Sequence, residues 1–250
     1  MVAGRSVLSS LAMERPVAIK QPHDADDGKA GTLEGSISVV MPALNAAASL
    51  PSTIEALRDG ALEGQLGELL VVDGGSRDDS QQVAQAAAAR VLTAPKGRGR
   101  QLAAGAEEAR GDWLLFLHAD TSLSPAWGRV ARDFMAATGA SGERAAAFRF
   151  ALDDAEPPAR RIERLARWRG RALGLPYGDQ GLLIPRAFYR RLGGYRPLDL
   201  MEDVEMVRRI GRRRLTILQA DAVTSAARYR RDGWIRRPLR NLSLLFLYYM

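Results

Sequence analysis

Trp113-Leu114-Leu115-Phe116-Leu117-His118-Ala119-Asp120 is the stretch whose reading decides the fold. Consecutive apolar side chains suit a strand covered on both faces, as in the middle of a parallel sheet, and in open α/β sheets ligands bind beyond the carboxyl ends of such strands. Asp120 then falls where a metal ion or a phosphate would sit. A plainer reading is a strand followed by an aspartate that caps the next turn. Two earlier segments share the design: Ser38-Val39-Val40-Met41-Pro42-Ala43-Leu44-Asn45, and Leu69-Leu70-Val71-Val72-Asp73-Gly74-Gly75-Ser76, which stops at an acid and two glycines.

Each of these segments leads into a helical pattern. Ser52-Thr53-Ile54-Glu55 predicts a capping box beside Pro51, with the helix stopping near Gly60. Asp78 and Asp79 lead into an Ala/Gln run over 81–89, a short strand follows around 90–94, and a helix over 101–109 delivers the chain to the strand ending at Asp120. Strands alternating with helices predict an α/β fold, a single Rossmann-like, mostly parallel sheet with helices on both faces. Asn45, Asp73 and Asp120 gather along one edge of such a sheet, where a nucleotide has room to lie.

The succession Ser38–Asn45, Val71–Asp78 (V-V-D-G-G-S-R-D), Ala109–Asp120 (A-R-G-D-W-L-L-F-L-H-A-D), Gly178–Gly181 (G-D-Q-G) and Leu200–Asp203 (L-M-E-D) resembles the family 2 glycosyltransferases. Each motif alone is common, and the order and spacing of all five carry the resemblance, which covers about Ser36 to Trp234. It implies a GT-A-like fold, a nucleotide-diphosphate sugar donor, Mn²⁺ or Mg²⁺ as cofactor, and inversion at the anomeric carbon. Carried over residue by residue, it puts the donor's base and ribose near Pro42, Asn45 and Asp73, and matches Asp120 to the final carboxylate of the D-x-D metal motif. Hard oxygen ligands suit these cations, whose charge stabilises a leaving diphosphate. The resemblance also places Gly178, Asp179, Gln180 and Gly181 around the sugar and acceptor, and matches Asp203 to the general base, with Glu202 the less favoured acid. A base is required because a hydroxyl is a weak nucleophile until its proton is removed.

Departures from the family pattern bear on the donor and the metal. His118 stands for the first Asp of D-x-D, which removes a negative charge, although imidazole can itself ligate Mn²⁺. Ala46 and Ala103 stand where many relatives carry Glu and Asn, and Gly74 replaces the second Asp of V-D-D-G-S. Neither Asp120 nor Asp203 is touched, so an active enzyme is expected. Lys96-Gly97-Arg98-Gly99-Arg100-Gln101 has two readings. One is a flexible loop whose Arg98 and Arg100, with Gln101, approach the donor diphosphate; the other is a solvated turn.

The chain has 250 residues, 46% of them hydrophobic, and no cysteine, which excludes disulfides and thiolate metal ligands and is compatible with a cytoplasmic location. Residues 1–35 lack a strand pattern and read as a mobile N-terminal extension, or as residues ahead of a later true start. His23, among Pro22, Asp24, Asp26 and Asp27, belongs to that segment rather than to a metal site. The glycosyltransferase domain is expected over 36–234, and 235–250 as a basic and apolar C-terminal helix. Net charge is +7, yet from Arg160 onward 21 arginines face eight acids, so the front of the chain is acidic. Arg230, Arg231, Arg236, Arg237 and Arg240 beside Trp234, Phe246, Tyr248 and Tyr249 suit peripheral attachment to the inner face of an anionic membrane, with a small-molecule or lipid acceptor. The alternative is a helix packed on the domain with its arginines in solvent.

Two other functions are weighed. A sugar nucleotidyltransferase needs a glycine-rich, cationic phosphate loop directly after the first strand, where this chain has Met41-Pro42-Ala43-Leu44-Asn45. A nucleic-acid-binding module fits the pI near 10.2, but it gives no reason for Asp120 or for Glu202-Asp203, so nucleic acid is not an expected partner.

Overall fold

The computed structural model describes residues 33–198, 200–236, 238 and 243. The apolar run becomes β4 (Gly111–Phe116), with Leu114, Leu115 and Leu117 fully buried. On one side β4 pairs in parallel with β1 (Leu33–Ala43), β1 with β2 (Leu66–Asp73), and β2 with β3 (Arg90–Thr93). On the other side lies β7 (Leu182–Pro185), antiparallel to β4, then β6 (Ala145–Leu152), β8 (Leu215–Thr224) and β5 (Thr121–Leu123). The order is β3-β2-β1-β4-β7-β6-β8-β5, with β6 and β8 parallel. The expected mostly parallel sheet is present, with antiparallel pairs confined to β7 and β5.

Strand alternation divides the core in two, as the pleat requires. Val39, Met41 and Leu115 face α1 (Leu50–Gly60), α2 (Ser80–Ala86) and α4 (Trp127–Thr138). Val40, Leu114 and Phe116 face α3 (Arg98–Glu108), α6 (Arg186–Arg191) and α7 (Glu202–Ile210). Helices therefore cover both faces. A smaller cluster joins α5 (Pro157–Leu173) and α8 (Ala227–Asp232) to the end of β6.

Several expectations are corrected. The first helix starts at Leu50, before the predicted capping box. Ser52 lies inside its first turn and donates to the Ser49 carbonyl, while Pro51 takes a position where its missing N–H costs nothing. The stop at Gly60 holds, and a Cβ there would fall 2.3 Å from the Trp127 ring. The 96–101 segment is not a flexible loop: Arg98 to Gln101 form the first turn of α3, and Gly99 packs so closely that a Cβ would meet the Arg196 carbonyl at 2.4 Å. The first strand starts at Leu33, ahead of residue 36. Trp234 stacks on Tyr229 at 5.8 Å instead of standing free for a membrane, and Arg230 and Arg231 pair with Asp154 and Asp232. Residues 1–32, with His23, and most of 235–250, with Arg237, Arg240, Phe246, Tyr248 and Tyr249, lie outside the described residues.

Candidate active site

Parallel pairing of β1, β2 and β4 brings their carboxyl ends to one edge. Ala43 lies opposite Asp73, and Val40 opposite Phe116. The chain leaving β4 carries His118 and Asp120 over this edge. Facing them is the start of α7, where three acids occupy the first turn, the helix end at which the backbone dipole favours negative charge. Met201 before it is left-handed, with φ 63°, an uncommon conformation for a residue with a side chain. Between the two ends lies a cleft of about 240 Å³ that His118, Asp120, Gly178, Asp179, Asp203 and Arg228 help to line.

Within the cleft Asp203 is the most firmly placed acid. Its Oδ2 accepts the Gly178 N–H at 2.6 Å and its Oδ1 the Val204 N–H at 2.8 Å. Gly178 is glycine for a steric reason, since a Cβ would fall 2.7 Å from His118 Nε2 and 3.3 Å from Asp203 Oδ2. Glu202 is buried, its carboxyl pushed up by desolvation and by the neighbouring Asp203, against the pull of Arg98, whose Nε is 3.5 Å away. His118 is held down to about 4, first by burial and then by Arg98, with Asp120 and Asp203 opposing; the imidazole is therefore neutral at pH 7. Asp179 is pushed up to about 6 by burial, with Asp203 and Asp120 adding repulsion against Arg169, and its Oδ1 has no hydrogen-bond partner among the described residues.

Other expected site residues turn inward. Asp73 is almost wholly buried. Desolvation alone would raise its carboxyl, but hydrogen bonds from Ser76, Gln81 and Gly75 outweigh it and hold the group below the usual range. The Gln101 amide donates to the carbonyls of Ala43 at 2.8 Å and Val72 at 2.7 Å, stapling the ends of β1 and β2, so its side chain does not reach towards a diphosphate. That amide also explains Gly74, where a Cβ would lie 3.0–3.2 Å from it. Gln180 is buried and donates to the Phe148 carbonyl, which fixes the 178–180 turn to β6 rather than presenting an amide to an acceptor. Gly181 lies behind the cleft, packed against Phe148. Pro42 is buried in β1 opposite Val72, whereas Asn45 is exposed beside the 76–77 loop, accepting the Arg77 N–H at 2.9 Å. Arg98 reaches the cleft, 3.5 Å from His118 Nε2, while the Arg100 guanidinium turns back to the Lys96 carbonyl.

Arg228 was not expected. It comes from α8, over a hundred residues downstream, and its guanidinium stands 3.0 Å from Asp120. Nothing in its arginine-rich context singles it out. A divalent cation has limited protein ligands here, because no group of three His, Cys, Asp or Glu side chains converges among the described residues. The donor set still fits Mn²⁺ or Mg²⁺ of the kind that keeps one or two protein ligands and takes the rest from phosphate and water: one half-exposed carboxylate, Asp120, and one neutral imidazole, His118.

Fold and cleft together define a GT-A-type α/β transferase. The chain belongs to glycosyl transferase family 2, whose model matches residues 38–190. Among relatives, undecaprenyl-phosphate 4-deoxy-4-formamido-L-arabinose transferase of Pseudomonas aeruginosa is 38% identical over 98 residues, covering 36% of this chain and 29% of that protein. Glucosyl-3-phosphoglycerate synthase of Mycobacterium tuberculosis is 34% identical over 94 residues, covering 34% of this chain and 29% of that protein. The matched segment thus spans less than a third of either relative. The mycobacterial synthase, solved with Mn²⁺, uridine diphosphate and glucosyl-3-phosphoglycerate, has the same fold at a TM-score of 0.52 and 20% identity over 76% of this chain and 70% of that one. The 1–349 fragment of S. aureus TarS superposes at a TM-score of 0.58, with 14% identity over 76% and 60% of the two chains.

Proposed function

We propose that this chain transfers a sugar from a nucleoside-diphosphate donor to an acceptor oxygen with inversion, Asp203 acting as general base. The observation that carries the reading is the Asp203 carboxylate, fixed by the Gly178 N–H at 2.6 Å and facing the same cleft as His118 and Asp120. The acceptor oxygen attacks the anomeric carbon while its proton passes to Asp203 and the bond to the diphosphate oxygen breaks. Glu202 is the poorer base, because it is buried and turned to Arg98.

Asp120 and the neutral His118 would hold Mn²⁺ or Mg²⁺, which when bound supplies positive charge to the leaving diphosphate. Arg98 and Arg228 bring guanidinium groups to the same place, suited to phosphate oxygens. Asn45 and the Asp73 loop mark the edge for the nucleoside, Asp73 shaping the loop through its hydrogen bonds rather than touching the ligand. Gly178 and Asp179 border the acceptor side. A lipid-linked acceptor is favoured by the arginine-rich second half of the chain and by the relative that acts on undecaprenyl phosphate. No helix among the described residues is long and apolar enough to cross a membrane.

A thermal-shift panel of nucleotide-diphosphate sugars, each with and without Mn²⁺, tests the donor half of this reading. A ligand that binds only the folded chain raises its melting temperature. One donor should stand out, with a larger shift when Mn²⁺ is present; no shift from any donor would refute it.

A further inference from the structure

The outer face of α5 inverts the usual arrangement of a surface helix. Its inward stripe is Ala159, Glu163, Ala166 and Gly170, small residues and one acid. Arg160 and Arg167 close over Glu163, at 2.8 and 4.0 Å. Among the described residues Ile162 is the one bulky apolar side chain of α5 turned to the inner cluster, whereas Leu165 is 54% and Trp168 58% exposed, on one helical stripe with Arg161 and Arg164. Neither of those arginines forms an ion pair among the described residues. The inward stripe packs against Ala226 and Tyr229 of the α8 region, and Tyr229 lines the cleft. Arg169, from the same helix, lies 3.4 Å over the ring of Tyr177, another lining residue. Leu200, 58% exposed, stands on the cleft wall, and Ile235, 74% exposed, follows α8.

We infer that the outward stripe of α5 is the surface by which this protein sits on an anionic bilayer, Leu165 and Trp168 entering the headgroup layer while Arg161 and Arg164 meet lipid phosphates. The inference deepens the lipid-acceptor reading, placing the cleft beside the membrane. The pattern fits this occupant. A tryptophan and a leucine flanked by uncompensated cations form the amphipathic combination that partitions into a charged interface. A second copy of this chain would bring arginine against arginine. A nucleic acid would use the cations but leave Leu165 without a purpose.

The test uses the full chain with vesicles of phosphatidylcholine alone and of phosphatidylcholine mixed with phosphatidylglycerol. Wild type should sediment with the mixed vesicles, less so as salt rises, and poorly with the neutral ones. Arg161→Gln with Arg164→Gln should weaken binding to the mixed vesicles by about fivefold per arginine removed. Leu165→Ser with Trp168→Ala should weaken it by about tenfold, from the lost apolar burial. These side chains are exposed and outside the cleft, so thermal denaturation and the affinity for the nucleoside diphosphate chosen by the donor panel should be unchanged in both double variants. Wild-type absence from mixed vesicles at low salt, equal binding to both vesicle types, or wild-type affinity in both double variants would each overturn the inference, as would capture of RNA without capture of vesicles. Vesicle binding without glycosyl transfer would instead sink the proposed function and leave this surface standing.

Discussion

Asp179→Asn should change how stability depends on pH. The Asp179 carboxyl is pushed from 3.8 up to about 6 by burial and by Asp203 and Asp120, and its Oδ1 has no partner among the described residues. Below pH 4 the group is protonated whether the chain is folded or not. Between pH 4 and 6 the folded state holds the proton more tightly, and that stabilisation disappears as pH rises through 6. The upward shift of about two pH units corresponds to about 3 kcal/mol, and partial contact with solvent reduces this to about 2. An asparagine amide carries its own burial cost, but that cost does not vary with pH, and His118 titrates in both proteins. The variant should therefore gain on wild type by about 2 kcal/mol between pH 4 and pH 7.5, or about 4–8 °C in melting temperature for a domain of this size. Calorimetric melts of both proteins across that range measure it. Parallel curves would show that the carboxyl is not buried as a charge and would refute the reasoning.

Asp120→Asn should abolish the Mn²⁺-dependent part of nucleoside diphosphate affinity while leaving the melting temperature within about 2 °C, as expected of a surface-facing change, checked by titration calorimetry with and without Mn²⁺. Gly178→Ala puts a methyl 2.7 Å from His118 Nε2, so turnover should fall more than stability, a comparison of steady-state rates with melts. Gln101→Ala leaves the Ala43 and Val72 carbonyls without their buried donor and should cost about 2–6 kcal/mol in urea unfolding, at about 1–3 per abandoned group.

Periodicity made the first half of the fold legible. Five consecutive apolar residues before His118 suit a strand covered on both faces, the β-branched run ending at Asn45 supplies its parallel neighbour, and the run ending at Asp73 is the next parallel strand out. Asp120 was legible because the carboxyl end of a strand is where an α/β sheet opens, whereas Asp203 was picked out only by the resemblance of L-M-E-D to the family motif. Gln101 was not. An amide on a helix reads equally well as facing ligand or protein, and only the positions of two carbonyls decide it. Arg228 was hidden by distance along the chain, since its partner Asp120 is brought near by the pairing of β5 with β8. The α5 face was not singled out, because which side of a helix is buried depends on what packs against it, and here Ala159 and Ala166 face inward while Leu165 and Trp168 stay exposed.

The central claim is that Asp203 removes the acceptor proton, and single-turnover rates for Asp203→Asn and Glu202→Gln, with donor affinity measured beside them, test it most directly. Asp203→Asn should slow transfer by about 10²-fold or more with donor affinity little changed, since a base acts on the transition state rather than on the bound donor. Transfer at the wild-type rate by Asp203→Asn, or a larger loss in Glu202→Gln, would contradict the assignment.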